Sequence, residues 1–180
     1  MTNRISRKQL MKIIQEFEAV SAVGPSAVRG QPSGTVDVCR KFLKKVNLME
    51  IPRRSPVLFR KWLNHKTRLL QRKLPNPDRP WGIARKALNL FLRSCFYNRF
   101  LYERYRLNCI ASWLEVPLDS VVAKKLKEHA GHGMLPKWFG LGGLTPKDSD
   151  TFQQHALEYA KEKGLPARVF LDNYLWLLGR

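Results

Sequence analysis

Apolar residues recur at the three- and four-residue spacing of a helix almost from one end of the chain to the other. Leu10, Ile13, Ile14, Phe17 and Val20 share one face of a first helix. Val36, Cys39, Leu43 and Val46 mark a second, and Leu58, Trp62, Leu69 and Leu70 part of a third. The longest helix follows Gly82, with Ile83, Ala87, Leu88, Phe91, Cys95 and Phe96 expected inward. Turn-forming residues punctuate the pattern at 23–34, at the prolines 75, 77 and 80, and in the Gly-rich stretch 131–146. A short helix is expected near 108–113. Asp119 is expected to cap the next helix, Asp148 or Ser149 to cap one running to Lys163, and Pro166 to open a last helix ending at Leu178. No stretch alternates with the period of a strand, and no repeat is visible. The expected class is therefore all-α: a single compact domain over residues 1–180, with a cleft between two small lobes. The lobes are drawn at 1–74 with 146–180, and at 75–145.

Charge narrows the partner. The chain has 33 Lys or Arg against 14 Asp or Glu, a net of +19, with 44% hydrophobic residues, enough to build a core. Between Arg40 and Arg106 stand 19 basic residues against Glu50, Asp78 and Glu103, so this stretch carries +16. That much uncompensated charge repels itself unless a polyanion neutralises it, and nucleic acid is the expected partner. No apolar run is long enough to span a bilayer. Glu16 and Glu18 interrupt the residues behind the basic N-terminus, so no secretory leader is expected. Three widely spaced cysteines, Cys39, Cys95 and Cys109, form neither a disulfide framework nor a metal knuckle, which suggests a reducing cytoplasmic setting. His129 and His132 lack a third ligand, and Gly140-Leu141-Gly142-Gly143 precedes no Gly-Lys-Ser/Thr, so no metal and no cofactor is expected.

Three segments carry candidate chemistry. In Pro80-Trp81-Gly82-Ile83-Ala84-Arg85-Lys86, a proline turn and Gly82 deliver a helix N-terminus whose N–H groups suit a phosphate. Lys86 lies about one turn in; beside Arg85 and facing a cleft, it would lose basicity and gain nucleophilic character. On a plain surface it would be an ordinary lysine. Asp119, in Val116-Pro117-Leu118-Asp119, is a helix cap, or a carboxylate held ionised by backbone N–H groups that stabilises a sugar cation or moves a proton. Asp172 and Trp176 are four apart and share a helix face. Together they suit a planar base, Trp176 by stacking and Asp172 by accepting from base N–H groups; the alternative is Trp176 in the core and Asp172 at the surface. Gln31 is a further candidate contact to the base. Trp138-Phe139 is read as a wedge for the gap left by a flipped base, or as a staple onto the core.

Taken together, these segments resemble the helix-hairpin-helix DNA glycosylase superfamily, most closely its archaeal-type 8-oxoguanine branch. Gly82-Ile83-Ala84-Arg85-Lys86-Ala87 is similar to the hairpin-to-helix segment that bears the family's catalytic lysine. Pro117-Leu118-Asp119-Ser120-Val121-Val122-Ala123 is similar to the segment bearing its catalytic aspartate, and Leu171-Asp172 through Trp176 to Arg180 to its pocket helix. The resemblance covers about residues 80–180, with Val38 to Leu43 a weaker match. It implies a lysine Schiff-base glycosylase with AP-lyase activity, in base excision repair, excising an oxidised purine with 8-oxoguanine first in line. Lys86 and Asp119 would be catalytic; Asp172, Trp176 and Gln31 would hold the base; Gly82, Arg85, Lys124, Arg53 and Arg54 would contact DNA. The expected partner is double-stranded DNA carrying a damaged or modified base, bound by a monomer in the cytoplasm at the nucleoid. The pattern also departs from the family. The chain is short, the hairpin lacks a full Gly-x-Gly, and the aromatic of the opposite pocket wall has no counterpart, leaving Trp62, Trp81, Trp138 or Phe139 to replace it. The alternatives are a non-catalytic basic DNA- or RNA-binding protein, and a glycosylase for another modified base such as one in phage DNA.

Overall fold

The computed structural model describes residues 4–178. Residues 1–3, read above as part of the charged N-terminus, and 179–180, the end of the pocket-helix segment, lie outside the described residues. All regular structure among the described residues is helical: α1 (Arg7–Ala22), α2 (Thr35–Leu43), α3 (Pro56–Gln71), α4 (Trp81–Tyr97), α5 (Arg99–Arg104), α6 (Ser120–Ala130), the single turn α7 (Gly140–Gly143), α8 (Pro146–Glu162) and α9 (Leu171–Leu178). Tighter 3-10 turns occur at Pro25–Val28, Leu48–Glu50, Leu107–Trp113 and Arg168–Phe170. No described helix is long and apolar enough to cross a membrane.

Local chemistry sets most of the boundaries. Ser6 and Gln9 form a reciprocal capping box at the head of α1. Ser55 caps α3 with Pro56 as its first residue, and Asn98 caps α5. The cap of α8 is Thr145 followed by Pro146, whereas Asp148 or Ser149 was expected; Asp148 instead donates its N–H to the Thr145 hydroxyl at 3.1 Å. The last helix begins at Leu171, because a 3-10 turn occupies 168–170 after Pro166.

The orientation of α1 differs from the expected one. Met11, Gln15 and Ala19 face the core, while Leu10, Ile13 and Phe17 stand on the surface, Phe17 at 67% exposure. Two apolar stripes on one helix cannot both be inside, and periodicity alone does not choose between them. Gln15 takes the inner position because its side-chain amide donates to the Val46 carbonyl at 2.7 Å.

The buried side chains form two clusters. The first draws on α1 to α5, with Ile110, Leu114, Ala167 and Val169; the second runs from Val116 through α6 and α8 to Leu171 and Leu175. The chain passes from one to the other between Leu114 and Val116. These clusters group the helices differently from the expected lobes: α4 packs against α1, α2 and α3 and contributes to the first cluster, whereas α8 packs against α6 and contributes to the second. Proline breaks at 75–80 suggested a lobe boundary there, but they only turn the chain between two helices of the same core. α4 is buried over almost its whole length from Gly82 to Phe96 and borders both clusters through α7.

Candidate active site

Lys86 lies in the second turn of α4, on the face that meets the second cluster. Asp119 caps α6 after the buried approach Val116-Pro117-Leu118, its Oδ1 accepting from the N–H groups of Val121 at 3.0 Å and Val122 at 2.9 Å. Those bonds, worth together about 0.5–2 kcal/mol to the helix, also fix the carboxylate. Its other oxygen is left for Lys86, whose Nζ stands 3.6 Å from Oδ2, with the side chains 10% and 23% exposed. Burial is the largest influence on the Lys86 amine and lowers its pKa. Asp119 opposes that, and nearby Arg93 adds to it; the result lies below the ordinary lysine value.

This pair opens on a cavity of about 1110 Å³. Gln31, Lys86, Asp119, Asp172 and Trp176 all line it, so residues spread over 145 positions of sequence converge on one space. Trp176 is 44% exposed at its edge. Asp172 is buried and paired with Arg93 of α4. Arg93 is a cavity-lining residue that sequence reading missed. A signal existed: it follows Lys86 by seven, two helical turns on, and so falls on the same face. Gln31 is tied down as well, its side-chain oxygen accepting from the Asn76 amide at 2.7 Å, which leaves its own amide group to donate into the cavity. Of the aromatics considered for the opposite wall, Trp138 lines the cavity and packs edge-on against Phe152. Trp62 instead stacks on Phe59 in the first core, Trp81 lies beneath the Arg85 guanidinium, and Phe139 is on the surface at 70% exposure.

The expected DNA contacts divide. Arg85 is buried and bonded to protein groups: its Nε and Nη2 donate to the Glu115 carboxylate at 2.8 and 2.9 Å, and Nη1 to the Thr67 hydroxyl at 2.9 Å. Arg53 is a structural clamp, donating to the carbonyls of Tyr105, Met49, Ile51 and Leu48 at 2.7–3.2 Å. Gly82 lies under α7, where a Cβ would come within 2.4 Å of the Leu141 carbonyl oxygen, so its glycine serves close packing rather than an open phosphate site. A basic or glycine residue near a functional segment reads the same in sequence whether it faces solvent or the core. Arg54 and Lys124 are exposed, Lys124 at 3.9 Å from Glu128. Beside the cavity, the Asn76–Gln31 bond joins the 72–80 turn to the loop bearing Arg29, which itself lines the cavity. Arg29, Arg72, Lys73 and Arg79 are exposed there and enter no ion pair among the described residues. Arg79 holds φ +41°, a left-handed conformation in which its carbonyl accepts from Gln71 at 2.8 Å.

His129 and His155 make a separate cluster. His129 Nδ1 is 3.1 Å from His155 Nε2, and the His129 ring stacks on Tyr159. Among the described residues no group of three His, Cys, Asp or Glu is arranged to hold a metal ion.

No protein-family model, curated protein or solved structure matches the chain.

Proposed function

We propose that the chain is a DNA glycosylase with AP-lyase activity, built on a helix-hairpin-helix glycosylase-like fold and acting on an oxidised purine in duplex DNA, with 8-oxoguanine the leading candidate. The observation that carries the reading is the Lys86 amine 3.6 Å from the Asp119 carboxylate, at the wall of a cavity also lined by Asp172 and Trp176.

The chemistry follows from those groups. Lys86 loses its proton to solvent, and the neutral amine attacks C1′ of the everted nucleotide while the Asp119 carboxylate stays ionised. The N–C1′ bond forms as the glycosidic bond breaks; the base leaves with the electron pair and takes up the proton that the new C1′ ammonium gives up through Asp119. Asp119 offsets the positive charge on the sugar as that bond lengthens. Ring opening gives a Schiff base between Lys86 and C1′. Loss of a C2′ proton then expels the 3′-phosphate, and water releases the unsaturated aldehyde and regenerates Lys86. Trp176 supplies one stacking wall for the base and Trp138 a candidate for the other, with Asp172 and the Gln31 amide at its edges. The exposed Arg29, Arg72, Lys73 and Arg79, with Lys124 and Arg54, supply sequence-independent attraction to phosphates, consistent with nucleoid association.

The test is strand nicking on a panel of otherwise identical duplexes carrying 8-oxoguanine, other oxidised or alkylated bases, uracil, or no lesion. Nicking confined to an oxidised purine is expected. Uniform binding with no nicking on any duplex would instead favour a non-catalytic nucleic-acid-binding protein.

A further inference from the structure

Behind the Lys86–Asp119 pair, and outside the cavity it lines, lies a buried polar cluster to which the mechanism gives no part. Glu115 is 4% exposed. Its carboxylate accepts from Arg85 Nε and Nη2 and from the Asn89 amide at 2.9 Å. Burial by itself pushes this carboxyl up; the Arg85 charge and hydrogen bonds, helped by Arg168 and Asn89, outweigh that and hold it below the usual carboxylate range. The backbone on either side is held just as closely. Arg168 donates to the carbonyls of Leu114 at 3.0 Å and Trp113 at 3.1 Å. Gln153 accepts from the Val116 N–H at 3.0 Å and donates to the Val116 carbonyl at 2.7 Å.

These contacts sit where the chain crosses from one core to the other. Arg85 is the immediate neighbour of Lys86 in α4. Glu115 is four residues before Asp119, and the three residues between are buried. A two-bonded bridge from Arg85 to Glu115 therefore links the helix that carries the amine to the segment that carries the acid. A buried ion pair seldom stabilises a fold more than well-packed apolar side chains of the same size. What such a pair does supply is fixed geometry, through the planar fork of the guanidinium.

We propose that Glu115, acting through Arg85, is a positioning residue that sets the spacing between Lys86 and Asp119. This rests on those two being the reacting pair. Shortening the tether while keeping its charge separates positioning from stabilisation. Glu115→Asp withdraws the carboxylate by about 1.5 Å, one carbon–carbon bond. Misplacement on that scale costs a reacting pair about tenfold to a hundredfold in rate.

The experiment compares wild type, Glu115→Asp and, as a control for lowered stability alone, Val46→Ala in the first core. Two quantities are read. One is the titration of Lys86, followed by NMR of the 13Cε signal in lysine-labelled protein. The other is the single-turnover rate of borohydride trapping on an 8-oxoguanine duplex, with duplex affinity measured alongside. Glu115→Asp is expected to move the Lys86 midpoint away from its wild-type value, because the distance to Asp119, which raises that midpoint, is altered. Trapping is expected to slow about tenfold to a hundredfold with affinity unchanged. If Lys86 titrates as in wild type and trapping slows no more than in Val46→Ala, the cluster only stabilises the fold and the proposal is overturned. If Glu115→Asp does not fold, Arg85→Lys, which keeps the charge but cannot form the two-bonded bridge, is judged by the same readings. If wild type traps nothing, the glycosylase reading fails, and the Lys86 titration still decides whether Glu115 positions it.

Discussion

Replacing Gly82 with alanine asks whether that glycine exists for packing. An alanine Cβ would stand 2.4 Å from the Leu141 carbonyl oxygen, 2.9 Å from Leu144 Cβ and 3.2 Å from the Leu141 carbonyl carbon. Ordinary contact begins near 3.4 Å, so α7 has to retreat by about 1 Å, and the nearest atom is backbone that no rotamer change can move. Overpacking of this kind costs about 1–3 kcal/mol. Against it stands the helix preference of alanine over glycine, at most about 1 kcal/mol and less in a first turn. The net expectation is a loss of about 1–2 kcal/mol, which for a chain of this size lowers Tm by about 2–8 °C. Urea unfolding and a thermal scan of Gly82→Ala measure it. Because Gly140, Leu141 and Gly142 line the cavity, the variant should also trap 8-oxoguanine DNA more slowly, while the salt dependence of duplex binding stays as in wild type. A Tm equal to or above wild type would refute the close approach of α7 to α4. A flattened salt dependence would return Gly82 to the role of a phosphate contact.

Other outcomes follow from the same structure. Arg29→Gln and Arg79→Gln should each weaken binding to any duplex and flatten the plot of log affinity against log salt by about 0.9. Arg53→Gln should leave that slope unchanged and lower the urea midpoint, because its guanidinium holds four carbonyls rather than phosphates. The rate of base release should climb as pH rises through the lowered Lys86 pKa and level off before the ordinary value of 10.5, since only the neutral amine attacks. Glu115 titrates lower when folded than its ordinary 4.5, so its stabilisation is complete above that pH and is lost as pH falls through the folded value; acid unfolding of Glu115→Gln, set against wild type, checks this sign.

The helical class was legible because apolar spacing and turn residues agree along most of the chain. Lys86, Asp119, Asp172 and Trp176 were legible as well, each in a short segment with its own chemistry, and the fold brings them to one cavity. Three things were not readable, for definite reasons. α1 carries two apolar stripes, and the choice between them depends on Val46 as a partner for Gln15. Arg85 and Arg53 look like surface cations in sequence, because acceptors that hold them, Glu115 for the one and the Tyr105 carbonyl among those of the other, lie 30 and 52 residues away. The division into two cores falls at Leu114–Val116, where no proline or glycine cluster marks it, and the prolines at 75–80 turn the chain within a single core.

In the proposed mechanism the Lys86 amine becomes covalently joined to a sugar carbon. Borohydride reduction of wild-type protein on an 8-oxoguanine duplex, followed by digestion and mass spectrometry of the cross-linked peptide, locates that bond. A reduced sugar adduct on the peptide containing Lys86 is expected. An adduct on a different lysine or on the N-terminal amine, or none on any lesion that the protein binds, would contradict it.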